Sequence, residues 1–130
     1  MILQTTLSLT AAAAVLAFWL SLRVSTVRYV AKVWHGDGEN PVLLRRMRAQ
    51  ANYVENTPFV LILVAAIELS GRGGQWLAIV GAVYLLARIA HAFGMDKPET
   101  SPLRAIGFLV TVLTLLGLAV VAVLIALARF

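Results

Sequence analysis

Five polar residues that interrupt apolar stretches of the chain have the spacing of a binding site. Arg48, Asn52 and Glu55 are four and three residues apart, which places them along one face of a helix. Arg88 and His91 are three residues apart and share a face of a later helix in the same way. Guanidinium groups bind carboxylates through two parallel hydrogen bonds, and a glutamate accepts hydrogen bonds from an ammonium group. The set therefore suits a zwitterionic peptide that carries carboxylates and an amine.

Two further arginines, Arg28 and Arg104, lie at the edges of apolar stretches. A cation beside a thiol stabilises the thiolate, so that more of the thiol is nucleophilic at neutral pH. A cleft between helices that opens to lipid would admit an apolar electrophile. These residue types favour a reaction in which a water-soluble thiol meets a membrane-soluble partner.

The same residues also have structural interpretations, which the sequence leaves open. Glu55 and Arg88 are expected at similar depth on antiparallel helices, where a buried ion pair could simply fix the register of the bundle. Arg28 and Arg104 could be headgroup anchors. His91 could be an interhelical histidine with no role in binding.

The elements that must carry these residues are membrane helices. Of the 130 residues, 61% are hydrophobic and only 13% are charged, whereas soluble domains have about 25% charged residues. Four apolar stretches are each long enough to cross a hydrocarbon core of about 30 Å. We predict an all-α bundle of four transmembrane helices in a single domain, with spans at about 3–28, 48–69, 75–95 and 103–128.

Two helix starts have a clear signature. Asn40-Pro41 and Ser101-Pro102 each place a capping side chain before a proline at the first helical position. The second helix is therefore expected to begin at Pro41, several turns before its apolar stretch.

The distribution of charge predicts the orientation. Loops one (30–48) and three (95–104) and their flanks hold most of the basic residues, so both are expected in the cytoplasm. Basic residues that are separated by long apolar runs do not form the exposed basic face that nucleic-acid binding requires. The chain has no cysteine and its two histidines are far apart, so we expect no metal site.

Three motifs resemble those of the MAPEG family, the membrane-associated proteins in eicosanoid and glutathione metabolism. The segment from Arg48 to Pro58, RAQANYVENTP, resembles the family pattern R-x-x-x-N-x-x-E followed closely by proline. The segment from Tyr84 to His91, followed by Gly94, is a second match. Arg104, thirteen residues beyond His91, is a third. With four spans, the resemblance covers nearly the whole chain.

The resemblance implies a homotrimer that binds glutathione as co-substrate between subunits, near the cytoplasmic face. It implies a membrane-bound glutathione transferase or glutathione-dependent peroxidase, active in detoxification of apolar electrophiles. Its expected partners are a second copy of the chain, membrane lipid and an apolar small molecule, without nucleic acid, and its expected location is a bacterial inner membrane. Arg104 matches the catalytic arginine that stabilises the thiolate. The positions implied in cofactor binding are Arg28, Arg48, Asn52, Glu55, Arg88 and His91.

The chain departs from the family at several positions. Ala105 stands where the prostaglandin synthase of the family has a serine, and Met95 and Phe108 stand where some members have tyrosines that contact glutathione. Ala51 replaces a further basic residue of some members. An alternative function is therefore a non-catalytic lipid- or partner-binding membrane protein of the same fold. A transporter or proton relay is a third, although the far half of the spans offers no polar trail beyond Glu68.

Overall fold

Four long helices make up the computed structural model, which describes residues 1–130. The fold contains no strand, as predicted, and each helix is long and apolar enough to cross a membrane. The chain is therefore an integral membrane protein. The helices are α1 (Gln4–Ala31), α2 (Pro41–Leu69), α3 (Gln75–Met95) and α4 (Pro102–Ala126).

The starts of α2 and α4 are capped as the sequence predicts. The Asn40 side chain accepts hydrogen bonds from the backbone N–H groups of Val42 and Leu43, and Pro41 follows at the first helical position. The Ser101 side chain accepts from the N–H of Arg104 at 3.3 Å and donates to the carbonyl of Gly94, also at 3.3 Å. Ser101 thus caps α4 and ties its start to the end of α3.

The core lies where α1 and α3 pack against α2, while α4 packs on α2 and α3 and does not contact α1. Within this core the polar groups are paired. The Tyr53 hydroxyl donates to the carbonyl of Ala13 at 2.6 Å, and the hydroxyls of Thr57 and Tyr84 are 2.8 Å apart. Pairing of this kind is needed because lipid cannot supply hydrogen bonds to buried polar groups.

Two glycines let α3 and α4 approach closely. A Cβ at Gly94 would lie 2.8 Å from the Cα of Arg104, and a Cβ at Gly107 would lie 2.8 Å from the carbonyl oxygen of Ala87. Neither contact can be relieved by a flexible side chain, since both involve backbone atoms. The helices therefore cross here with almost no side chain between them, and this crossing sets the position of Arg104.

Glu68, near the end of α2, caps the start of α1. Its carboxylate accepts from the N–H of Thr5 at 2.9 Å and from the N–H and hydroxyl of Thr6, both at 2.7 Å. It makes no ion pair with Arg72, although the sequence places the two close together. A negative charge at this position satisfies N–H groups that have no partner inside α1 and complements the helix dipole.

Candidate functional site

A cavity of about 400 Å³ opens at the end of the bundle where loops one and three lie. It brings together four of the seven residues that the sequence singles out: Arg48, Asn52, His91 and Arg104. The volume is in the range of small-molecule binding sites. Its remaining lining residues are Met95, Thr100, Ser101, Ala105 and Phe108.

Three helices contribute the four predicted side chains of this cavity. Arg48 and Asn52 are one turn apart on α2, His91 lies near the end of α3, and Arg104 lies in the first turn of α4. The two ion pairs of the chain involve neither Arg48 nor Arg104. Both guanidinium groups are therefore available to an anionic ligand.

The start of α4 adds to this preference for anions. The backbone N–H groups of a first helical turn point away from the helix, and the helix dipole gives this end a partial positive charge. Arg104 adds a full positive charge at the same end, next to the Ser101 cap. An anion that approached Arg104 would be stabilised by both.

Arg88 lies beneath the cavity and not in its wall. It is only 2% exposed, and its Nη1 donates to the Thr111 hydroxyl at 2.8 Å. Its Nη2 donates to Asn52 Oδ1 at 2.5 Å and lies 3.4 Å from His91 Nδ1. Its Nε is buried and has no hydrogen-bond partner. Arg88 therefore contacts two cavity residues from the inside of the bundle.

The prediction of an ion pair between Glu55 and Arg88 is wrong for the single chain. Glu55 is exposed on the outer side of α2 and forms no ion pair, while Asn52 occupies the position facing Arg88. Successive helical residues are about 100° apart, so Glu55 lies about 60° around the helix from Asn52. Both residues lie along one stripe of α2, but only Asn52, on the side of the stripe nearer the bundle interior, contacts α3.

Arg28 lies outside the cavity as well. Its Nη1 donates to the carbonyls of Val33 and Gly36 at 3.2 and 2.7 Å, and its Nη2 lies 3.5 Å from the sulfur of Met47. In the single chain, Arg28 therefore holds the first loop against the ends of α1 and α2. Its role in glutathione binding stays a prediction.

Sequence reasoning missed two features next to the site. Thr111 holds Arg88, and it could have been found because it lies seven residues after Arg104, two turns along the same face of α4. Arg23 forms an ion pair with Asp96, and its guanidinium carbon lies over the rings of Trp19 and Phe93, 4.9 and 5.4 Å from their centroids. This pair fixes the third loop to α1.

Comparison with known proteins identifies the family of the chain. The MAPEG family model matches residues 6–124 of the chain. The chain is similar to the inner membrane protein YecN of Escherichia coli strain K12 and to the protein of the same name in an Escherichia coli O6:H1 strain. Each is 31% identical to it over 81 residues, a segment that covers 62% of this chain and 62% of the relative. The matched segment thus spans less than two thirds of either relative.

Proposed function

Because the chain belongs to the MAPEG family, we propose that it is a membrane-bound glutathione transferase or glutathione-dependent peroxidase that acts on apolar electrophiles. The observation that carries this proposal is the cavity in which Arg48, Asn52, His91 and Arg104 meet. The cavity lies among membrane helices, so an apolar partner can reach it from the lipid while glutathione enters from the water.

The two free arginines have separate tasks in this proposal. Arg48 binds a carboxylate of glutathione, since guanidinium and carboxylate groups match in charge and geometry. Arg104 and the start of α4 stabilise the sulfur as a thiolate. With an aryl halide, the thiolate forms a carbon–sulfur bond as the carbon–halogen bond breaks. The halide ion leaves, and the thiol proton is released to water.

Glu55 supports a homotrimer in which glutathione lies between subunits. It is exposed on α2, a membrane-spanning helix, and forms no ion pair within its own chain. A charged side chain that faces the centre of a bilayer costs about 2.5–3.5 kcal/mol on insertion scales. A neighbouring subunit and the glutathione amine would remove this cost by covering and pairing the carboxylate.

The proposed location is a bacterial inner membrane, since both relatives are described as inner membrane proteins. Loops one and three are placed in the cytoplasm. Among the basic residues outside the core, only Arg72 and Arg129 lie at the opposite end of the bundle, and cytoplasmic loops carry an excess of lysine and arginine.

A second candidate function is binding of lipid or a partner without catalysis. Met95, Ala105 and Phe108 form an apolar wall beside Arg104 in the same cavity. These side chains cannot donate hydrogen bonds to a thiolate, so Arg104 would act there with less support than in family members that have serine or tyrosine.

Conjugation of an aryl halide by detergent-purified protein tests the proposal. We expect glutathione to bind and to give the absorbance difference of a thiolate. Arg104→Ala should lower turnover at saturating glutathione by roughly 10²–10³-fold, the effect of removing one preorganised donor. Arg48→Ala should instead weaken glutathione binding more than it lowers turnover. Arg72→Ala, at the opposite end, is the matched control and should behave as the wild type.

Two results would contradict the transferase proposal. Turnover of Arg104→Ala at the wild-type level would remove this residue from the mechanism. Absence of activity in the wild type over a broad panel of electrophiles, with lipid still bound, would establish the non-catalytic function instead.

A further inference from the structure

The chemistry of Arg88 restricts how its neighbours can be oriented. A guanidinium group is charged, has only N–H donors and has no acceptor. Any polar atom that it contacts at hydrogen-bond distance must therefore be an acceptor. This applies to Asn52, 2.5 Å from Nη2, and to His91 Nδ1, 3.4 Å from the same nitrogen.

For Asn52 the consequence is a fixed amide orientation. Its Oδ1 must face Arg88, so its Nδ2 is the group left to the cavity that Asn52 lines. Nδ2 makes no hydrogen bond within the chain. The only buried side-chain nitrogen or oxygen atoms without a partner are the Nε atoms of Arg46 and Arg88, so Nδ2 is not buried. It therefore has accessible surface and two unused donors.

For His91 the consequence is a fixed tautomer. If Nδ1 accepts from Arg88, the ring is neutral and its proton is on Nε2. Nε2 makes no hydrogen bond within the chain, and it too is not a buried atom without a partner. His91 as a whole is only 4% exposed, so Nε2 belongs to the small accessible part of the residue. His91 thus turns an N–H donor towards the cavity.

Thr111 holds Arg88 in the position that these contacts require. Its hydroxyl accepts from Arg88 Nη1 at 2.8 Å and donates to the carbonyl of Gly107, also at 2.8 Å. The single hydroxyl proton is used by Gly107, so the oxygen can only accept from Arg88. Every hydrogen bond of this network therefore runs outward from Arg88, which donates to acceptors on α4, α2 and α3.

We propose that Arg88 is a positioning residue that sets the hydrogen-bond polarity of the cavity, so that Asn52 and His91 both present N–H donors to the ligand. Together with the guanidinium groups of Arg48 and Arg104, they make the polar wall of the cavity rich in donors and suited to carboxylate and carbonyl oxygens. None of these four side chains offers an acceptor to an ammonium group. The inference rests on the proposed function only where it names glutathione as the ligand. In that case the carboxylate or carbonyl oxygens of glutathione lie against Asn52 and His91, and the amine of glutathione lies elsewhere.

Two substitutions of Asn52 test the orientation of the amide. Asn52→Asp keeps an acceptor towards Arg88 and exchanges only the group that faces the cavity. Asn52→Leu removes the acceptor and leaves a buried guanidinium N–H unpaired. We expect the unfolding midpoint of ligand-free Asn52→Asp to equal or exceed that of the wild type, and the midpoint of Asn52→Leu to fall. Equal losses in the two variants would overturn the proposal.

Nitrogen NMR of the histidine ring tests the tautomer. A His35→Gln background leaves His91 as the one imidazole of the ¹⁵N-histidine-labelled protein. We expect a single neutral form with the proton on Nε2, and a mixture of tautomers in Arg88→Met. Thr111→Val, compared with Thr111→Ser, gives a milder disturbance of Arg88 in case Arg88→Met does not fold.

The outcomes separate this inference from the proposed function. A wild-type ring with its proton on Nδ1, or an unchanged tautomer in both Arg88→Met and Thr111→Val, would overturn it. All these measurements use ligand-free protein, so a failure to bind glutathione would refute only the proposed function. If glutathione does bind, Asn52→Asp should weaken it by about tenfold or more, because a donor to a charged group is replaced by an anion.

Discussion

Substitution of Gly94 by alanine should displace the start of α4 and with it Arg104. The added Cβ would lie 2.8 Å from the Cα of Arg104 and 2.9 Å from its Cβ, and closer still to its backbone nitrogen. Contacts under 3.0 Å essentially never occur for real Cβ atoms. Since the obstructing atoms belong mainly to the backbone, the two helices must part.

The size of the effect follows from these distances. Ordinary contact begins at 3.4 Å, and the backbone nitrogen of Arg104 lies more than 1 Å inside that limit, so the first turn of α4 must move by about 1 Å. Overpacking of this kind costs about 1–3 kcal/mol in stability. It also disturbs the hydrogen bond from Ser101 to the Gly94 carbonyl. Because misplacement of a reacting group by about 1 Å can cost on the order of 10²-fold in rate, the proposed turnover should fall more steeply than the stability.

Unfolding in detergent and aryl halide conjugation measure the two effects. Gly117→Ala is the matched control, because a Cβ at Gly117 meets nothing within 4 Å. It should leave turnover unchanged and stabilise α4 by up to about 1 kcal/mol, the helix propensity difference between glycine and alanine. A Gly94→Ala protein with wild-type stability and wild-type turnover would refute the argument that this crossing positions Arg104.

Two further predictions concern the ends of the bundle. Single cysteines at His35 and Arg72, both exposed, should be labelled from opposite sides of the membrane, with His35 on the cytoplasmic side; labelling of both from one side would exclude the proposed topology. Glu68→Gln should lower the thermal stability and speed amide hydrogen exchange at Thr6, because a neutral amide accepts hydrogen bonds more weakly than a carboxylate. Glu99→Gln, at an exposed position, is the control and should change neither quantity.

The helices could be predicted because the signals that define them are local. An apolar stretch of sufficient length must be helical in lipid, where every backbone group needs an internal partner. The capping residues Asn40 and Ser101 act within their own first turn, so the starts of α2 and α4 could be placed to the residue. The family was evident for a similar reason, since two of its three motifs lie within single helices and the third joins residues only thirteen positions apart.

The pairing between helices could not be predicted in the same way. Depth along the helix axis correctly placed Arg88 opposite the stripe of α2 that holds Asn52 and Glu55, but it did not give the rotation of α2. A rotation of about 60° decides which of the two meets Arg88. The sequence offers no measure of that rotation, because the outer face of α2 is also partly polar.

Arg23 shows a second reason why part of the structure was missed. It lies inside the predicted first span and has no acidic residue near it in sequence, so no ion pair was evident. Its partner Asp96 is 73 positions away, at the start of the third loop. Contacts between residues so distant in sequence depend on helix packing, which local patterns do not encode.

The cap that Glu68 provides has a consequence for membrane insertion, because the start of α1 is synthesised before its cap. Thr5 and its acceptor are 63 positions apart, so the first turn of α1 emerges from the ribosome well before Glu68 does. During that interval, only water or headgroups at the interface can satisfy the first N–H groups of α1. The hairpin of α1 and α2 is thus the smallest piece of nascent chain in which this turn has its protein acceptor. The first turn of α1 therefore acquires its final hydrogen bonds only once α2 has crossed the membrane.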